Sequence, residues 1–489
     1  MSKGISRRRF LAAGARAGAA LGLGSLAGCW PRGTGRRDGA AAAARVDPAA
    51  LGGLRDSLHG RLLTPADAEY EAARRIWNFR FDPHPIAIAR CADAADVARA
   101  IEFARRRQLP ATIRSGGHSQ AGYTAGDGAL VVDLGAMKRV EIDEVRRIAR
   151  AGPGLTRLEL ETALQERGLV TAMGQCADVG IGGLTLGGGE GVLAGRYGAV
   201  CDNVVAAEVV TADGRVLRAS AEENPDLLWG VCGGAGNLGA VTALEYRLYP
   251  LREVVAGWLR WPVTRAHDVL RSYRDFARSA PDELWTEVAV SRFDGDEPSL
   301  GIFVFHSGDP KRAERDVARL RSFARPAADT IVRRSYLDGQ AAAGFPVAWG
   351  LSSYQRSGFL PELTDELLAA LVAEQPPKEA DVWLAHLHGA ISRRPPDHNV
   401  YPIRRPGFTL WFEADWEGAA EPRAAIAWVD RMWALAQPLT RGVYVNMLDV
   451  EPEERTRAAF GPNYARLAAL KRRYDPENFF RMNANVRPA

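Results

Sequence analysis

A chain of 489 residues is too long for one ordinary hydrophobic core, so two domains are expected, and 47% hydrophobic with 25% charged residues is the balance of a globular protein in water. The net charge of +4 is small for this length. It excludes a nucleic-acid track, and arginines such as those at 105–107 read as a solvated helix end.

Residues 1–29 read as a targeting segment. Arg7, Arg8 and Arg9 before Phe10 and Leu11 have the twin-arginine form, a run rich in Ala, Leu and Gly follows, and Leu26-Ala27-Gly28-Cys29 has the form of a lipoprotein cleavage box. Export by the twin-arginine route is therefore expected. The protein would end in the cell envelope if Cys29 carries lipid, or outside the cell if Cys29 is an incidental thiol behind an ordinary signal. Residues 30–62 have no apolar periodicity and read as a flexible tether, with order starting near Leu63. No second apolar run reaches the roughly twenty residues of a membrane span. Beyond the leader the cysteines are Cys91, Cys176, Cys201 and Cys232, and in an exported protein Cys201 and Cys232 could pair.

The first folded domain, 63–252, opens as strand, helix, strand. Residues 86–89 form a short apolar strand, 94–108 have helical spacing with Val97, Ile101 and Phe103 inward, and 110–113 begin a second strand. That strand delivers the loop Arg114-Ser115-Gly116-Gly117-His118-Ser119. A strand at 130–134 and a helix at 156–167, stopped by Gly168, come next. A loop after a strand end is where ligands sit in such units.

Cys176 follows within Gly174-Gln175-Cys176-Ala177-Asp178-Val179-Gly180, and then glycines crowd residues 180–198. Gly187, Gly188, Gly189 and Gly191 free the backbone N–H groups to turn toward an anion, although glycine clusters also make plain loops. The run Gly234-Ala235-Gly236-Asn237-Leu238-Gly239 fits G-x-G-x-x-G, but residues 241–250 are β-rich and end in proline. A nicotinamide fingerprint requires a helix there, so nicotinamide binding is excluded.

After Pro250 the pattern changes. Strands are expected at 258–263, 285–293, 299–306, 383–391 and 408–416, and helices at 266–278, 311–323, from Pro422 onward and at 464–473. This is an antiparallel sheet backed by helices, over 253–435, followed by a C-terminal segment, 436–489. The eight histidines are dispersed, with no C-x-x-C or H-E-x-x-H spacing, so no metal site is expected.

The flavin-type run R-S-G-G-H-S, the stretch from Gly174 to Gly191 and the ending Y-D-P-E-N-F-F-R-M-N-A-N-V occur in the order found in berberine-bridge-enzyme-like oxidases. From about Pro65 to the C-terminus the chain resembles this branch of the vanillyl-alcohol-oxidase-type FAD proteins. The resemblance implies an α+β fold: a two-part FAD-binding domain plus a substrate domain whose sheet roofs the flavin. It also implies FAD joined bicovalently, through its 8α-methyl carbon to His118 and through C6 to Cys176. Such links shift the redox potential and hold the ring in an open cleft. Cofactor contacts implied with them are Arg114, Ser115, Gly116, Gly117, Ser119, Val179, Gly180, Gly182, Gly183, Gly187, Gly188, Tyr197, Gly198, Asn203, Gly239 and Val241. The returning C-terminal segment would add Asn446, Asn483 and Asn485.

The reaction so implied removes a proton from a hydroxyl or acidic carbon of a carbohydrate or bulky secondary metabolite. Hydride goes to flavin N5 and oxygen reoxidises the ring. The base departs from the pattern, because many relatives have tyrosine where this chain has Met447, and a carboxylate position of some relatives falls near Thr409. Tyr444 is the remaining phenol, with His386, His388 and Asp415 as alternatives, and Trp411 could stack on a substrate ring. Alternation puts His386 and His388 on one face, toward the cleft or toward solvent. Two other readings stay open: a flavin dehydrogenase passing electrons to a quinone or carrier protein, and a non-catalytic flavin-binding lipoprotein.

Overall fold

The computed structural model describes residues 46–293, 297–344 and 349–489. The twin-arginine stretch and the box ending at Cys29 lie outside them. Order begins before Leu63: helix Pro48–Ser57 falls within the span read as tether. Asp47 caps it, its carboxylate accepting the Ala49 N–H at 2.9 Å, and Leu54 packs into the first core with Val97 and Ile101. A Gly-Ala-rich composition hid this helix, because Leu54 is its one fully buried residue.

The first sheet is small and mixed. Strand Arg61–Leu63 runs antiparallel to Ala87–Arg90, which is parallel to Leu130–Asp133, itself parallel to Ala111–Arg114. All four residues of Leu130–Asp133 are buried, as a parallel strand covered on both faces requires. Helix Ala94–Arg106 crosses over, capped by Asp93, and buries Val97 and Ile101, while Phe103 stays half-buried. The second sheet has five antiparallel strands in the order Val140–Asp143, Ile148–Ala151, Ala240–Arg247, Val204–Val210, Val216–Ser220. The strand after the G-x-G-x-x-G run is thus observed. Helix Arg157–Gln165 starts in a reciprocal cap between Thr156 and Glu159 and stops before Gly168, whose φ of +67° suits glycine.

The third sheet has eight antiparallel strands. Its centre runs Glu253–Pro262, Ser299–His306, Leu284–Ser291, Ala380–Leu387, Gly407–Glu417, Leu351–Leu360. Alternation divides its side chains. Trp258, Phe303, Trp285, Trp383 and Trp411 face the FAD-domain core, whereas Leu259, Ile302, Val288, Leu384 and Leu410 face helices Ala266–Ala277, Pro310–Arg321, Asp365–Ala373 and Arg423–Ala436. A slip of one residue would exchange the two sets and lose roughly 1.5–3 kcal/mol for each large apolar side chain displaced. Strand Leu351–Leu360 and helix Asp365–Ala373 were not foreseen. The strand's sequence is polar, and its polar groups are satisfied from other elements: Ser357 Oγ and Gln355 Nε2 both donate to the Met447 carbonyl, at 2.9 and 2.7 Å.

After helix Tyr464–Tyr474 the chain returns to the first domain. Lys471 Nζ donates to the carbonyls of Asn237 and Phe480 at 2.8 Å, and Asn237 Oδ1 accepts the Val486 N–H at 2.9 Å. Cys201 and Cys232 share one core as free buried thiols, so the disulfide raised from their spacing is absent. Cys201 Sγ instead accepts from Asn399 Nδ2.

Candidate active site

Two glycine loops meet beneath the large sheet. A Cβ on Gly116 would fall 2.3 Å from the Gly180 nitrogen, and one on Gly180 would fall 2.3 Å from the Gly116 nitrogen, so only a glycine pair lets these backbones touch. Gly117, at φ +74°, then turns His118 into the cleft. The imidazole stacks on Trp77 at 5.5 Å and meets the edge of Trp349 at 5.9 Å. His118 Nε2 lies 3.0 Å from Asp178 Oδ2, but without the alignment of a hydrogen bond. That oxygen accepts from Trp349 Nε1 at 2.9 Å.

Asp178 is two residues from Cys176, so one carboxylate stands beside both candidate attachment points. Cys176 keeps part of its surface open to the cleft, yet burial pushes its thiol up to about 12, and Asp178 adds to the shift. Arg157 opposes it and donates through Nε to the Cys176 carbonyl at 3.2 Å.

The cleft encloses about 430 Å³. It brings together Ser115, Gly116, Gly117, His118, Ser119, Cys176, Val179, Gly180, Gly182, Gly183, Gly239, Val241, Asn446, Asn483, Trp411 and Tyr444 from the residues expected in the site. Seven others lie outside its lining. Arg114 is buried, its guanidinium donating to Asp133 Oδ2 and the Ala73 carbonyl, where it braces the loop from behind. Gly187 and Gly188 are packing positions: a Cβ on Gly187 would strike Asn446, and Gly188 holds φ +116° against the Tyr401 ring. Tyr197 stacks on Tyr249 at 3.8 Å, Gly198 closes the turn at φ +90°, and Asn203 Nδ2 donates to the Tyr197 and Ala199 carbonyls. Asn485 lies just past the lining; its Oδ1, like that of Asn483, is buried and accepts no hydrogen bond among the described residues.

The roof strand Gly407–Glu417 turns Thr409, Trp411, Glu413 and Asp415 downward. Trp411 stacks on Trp383 at 5.9 Å, leaving Trp411 as an aromatic wall of the cleft. Asn78 ties roof to floor: its Nδ2 donates to the carbonyls of Gln120 and Ser353 at 3.0 and 2.9 Å, and its Oδ1 accepts the Ser353 N–H at 2.9 Å.

The candidate bases fare unequally. Tyr444 Oη accepts from the Gly189 N–H at 3.0 Å and Asn446 Nδ2 at 2.8 Å, and burial, followed by the nearby Glu190, holds its proton far above the ordinary phenol range. In this arrangement its oxygen serves as an acceptor on the cleft wall. His386 and His388 do share a face, but it is neither cleft nor solvent. They stack on each other at 4.2 Å, His386 lies on Phe408, and burial lowers both pKa values.

Several groups in or beside the cleft escaped the sequence reading. Glu190 sits in the glycine run, where its neighbours drew attention to backbone alone. Its carboxylate accepts from Tyr401 Oη at 2.7 Å and Thr409 Oγ1 at 2.8 Å. Glu287, fully buried, accepts from Gln175 Nε2 beside Cys176. Burial pushes Glu190 up to about 7 and Glu287 to about 8. The His118 cage of Trp77 and Trp349 joins residues 41 and 231 positions away, which no local pattern encodes. Away from the cleft, the one metal-type cluster among the described residues is His59, Asp93 and Asp96, whose carboxylates already serve the His59 ring and the backbone N–H groups of His59, Gly60, Ala92 and Asp96.

A glycine floor under an antiparallel roof, entered by a loop histidine, makes a cleft for a flat cofactor. The comparisons with known proteins give its class, an FAD-dependent oxidase, and the chain belongs to the berberine-bridge-enzyme-like family of FAD-linked oxidases. The FAD binding domain family matches residues 85–220, and the berberine and berberine-like family matches 443–487. (R)-6-hydroxynicotine oxidase of Paenarthrobacter nicotinovorans is 34% identical over 454 residues, 88% of this chain and 97% of that one. Chitooligosaccharide oxidase of Gibberella zeae is 27% identical, over 87% and 92% of the two chains. The crystal structure of 6-hydroxy-D-nicotine oxidase from Arthrobacter nicotinovorans superposes with a TM-score of 0.80 at 31% identity, covering 88% of this chain and 99% of that one. Carbohydrate oxidase from Microdochium nivale shares the fold, with a TM-score of 0.82 at 24% identity over 90% and 100% of the chains.

The cleft suits a flavin. A Cβ at Gly183 or Gly236 would meet no atom within 4 Å, so both glycines leave space for a flat group, and His118 Nε2 and the Asn483 amide oxygen are buried there without a hydrogen bond.

Proposed function

We propose that this protein is an exported oxidase holding FAD through both His118 and Cys176, which oxidises a hydroxyl or C–H group of a carbohydrate or bulky secondary metabolite. The observation that carries this reading is the placement of the two side chains on interlocked glycine loops facing one cleft, with Asp178 beside both. Bound FAD supplies an acceptor for a hydride at N5, and molecular oxygen is the terminal acceptor. Ser115, Gly116, Gly180 and Gly183 shape the floor, Gly239 and Val241 run along it, and Asn446 and Asn483 close it from the C-terminal segment. Trp77 and Trp349 hold the His118 ring in the cleft wall, with Nε2 3.0 Å from Asp178 Oδ2 and in no formed hydrogen bond.

The open cleft and the Trp411 wall support a large, partly apolar guest, in keeping with oxidases of an alkaloid and of an oligosaccharide among the relatives. Export through the twin-arginine route, with a lipid on Cys29 as the membrane attachment, rests on the leader sequence. The test is mass analysis of peptides carrying His118 and Cys176 from the mature yellow protein. Each should bear flavin mass, H118A and C176A should each keep one link, and the double variant should release its colour into denaturant. Unmodified masses at both peptides in wild type would remove the foundation. Anaerobic bleaching by a panel of sugars, alcohols and aromatic metabolites, then readmission of oxygen, identifies the substrate class and acceptor.

A further inference from the structure

Position 447, a methionine, has no proton to exchange, and the Tyr444 hydroxyl is committed to Gly189 and Asn446. Among the cleft carboxyls, Glu190 combines three properties. It lines the cleft with Glu413 and Asp415 and retains accessible surface, whereas Glu287 lies outside the lining, fully buried behind Gln175. Both its oxygens are aimed by hydroxyls on separate elements, Tyr401 and the roof residue Thr409, which still leaves lone pairs on each oxygen. It also directly follows Gly189, whose N–H is pinned by the Tyr444 phenol on the returning C-terminal segment.

We propose that Glu190 is the catalytic base of this enzyme, an inference that rests on the oxidase reading above. In the step assigned to it, a substrate hydroxyl O–H bond breaks and its proton passes to the Glu190 carboxylate. The carbinol C–H hydrogen leaves with its electron pair to the bound flavin, the oxidant, and the C–O bond becomes C=O. Tyr401 and Thr409 are positioning residues, holding the carboxylate by hydrogen bonds at 2.7 and 2.8 Å.

The electrostatics suit this role. Burial disfavours the anion and the two hydroxyl donors oppose it, leaving Glu190 at about 7, where a base is half ionised at neutral pH. The groups facing it from neighbouring elements are Tyr401, Thr409 and Tyr444, with Glu287 close enough to interact electrostatically. Arg404 sits 4.8 Å from the Tyr401 ring but is held by Asp202 at 2.7 Å.

The test uses flavin-loaded wild type, E190Q and E190D. Anaerobic flavin reduction in wild type should speed up with pH through a limb near 7. E190Q should lose the limb and slow by about 100-fold or more, with substrate affinity changed by less than about 3-fold, and E190D should regain part of the rate and a displaced limb. A retained limb, or an E190Q rate within about 3-fold of wild type, overturns the assignment. An independent readout needs no turnover: in the wild-type-minus-E190Q infrared difference, the C=O stretch of protonated Glu190 should titrate near 7, while the Glu287 band near 8 remains in both proteins. Presence of the Glu190 band alongside a wild-type flavin that no substrate bleaches would sink the oxidase reading while upholding the ionisation of Glu190. An E190Q titration identical to wild type would sink the base assignment alone.

Discussion

Asp475→Asn probes the clamp that holds the C-terminal segment against the cleft. Lys471 and Asp475 are fully buried, 2.6 Å apart, and Asp475 also accepts the N–H groups of Phe479 and Phe480 at 2.7 and 2.8 Å. The amide would turn an NH₂ toward one of these donors and leave the ammonium without a counter-charge. Breaking such a pair from one side costs about 3–5 kcal/mol, roughly a hundred- to several-thousand-fold in the unfolding equilibrium. Because Lys471 also holds the Asn237 and Phe480 carbonyls, loosening should reach the G-x-G-x-x-G loop and the Phe480–Ala484 edge of the cleft. Urea unfolding of the flavin-loaded protein, followed by tryptophan fluorescence, measures the loss, and hydrogen exchange at the Val486 and Phe480 amides locates it. A D475N loss below about 1 kcal/mol would refute the buried-charge argument.

Gly180→Ala drives a Cβ into the Gly116 backbone and should cost about 1–3 kcal/mol with reduced covalent flavin, read by melting temperature and by colour retained after acid precipitation. Tyr444→Phe leaves the Gly189 N–H without its acceptor and should cost about 1–3 kcal/mol, but the pH limb of flavin reduction should stay; its disappearance would restore Tyr444 as a base. Glu287, raised from 4.5 to about 8, binds its proton more tightly folded than unfolded. Its contribution is therefore complete below about pH 4.5 and lost as pH rises through about 8, and E287Q should flatten that decline in denaturation midpoints. Equal pH slopes in wild type and E287Q would contradict the shift.

Much of the framework was written locally. The Thr156 cap, Gly168 at a positive φ, and the alternating tryptophans of the roof each follow from spacing and residue type, and the structure reproduces them within a few residues. Both flavin motifs could be read because each is contiguous. What escaped depends on distance: Glu190 acquires its meaning from Tyr401 and Thr409, more than 200 residues away, and Leu351–Leu360 pairs along Gly407–Glu417 despite polar residues that argue against a strand. His386 and His388 failed as cleft candidates because alternation fixes a shared face but not which layer covers it. Arg114 and Tyr197 sit in motif positions outside the lining, Arg114 bracing its loop through Asp133 and Ala73 and Tyr197 stacking on Tyr249.

The stitch at Asn78 governs how a guest gets in. Lifting the roof edge from the histidine loop would strip the two Ser353 hydrogen bonds from the wholly buried Asn78 amide, together with the Phe79 N–H to Leu351 carbonyl bond at 3.0 Å, and each group left unsatisfied costs about 1–3 kcal/mol. Hinged opening along that edge would carry this cost. A guest admitted without that rupture would have to fit the mouth of the cleft as side-chain rotation leaves it.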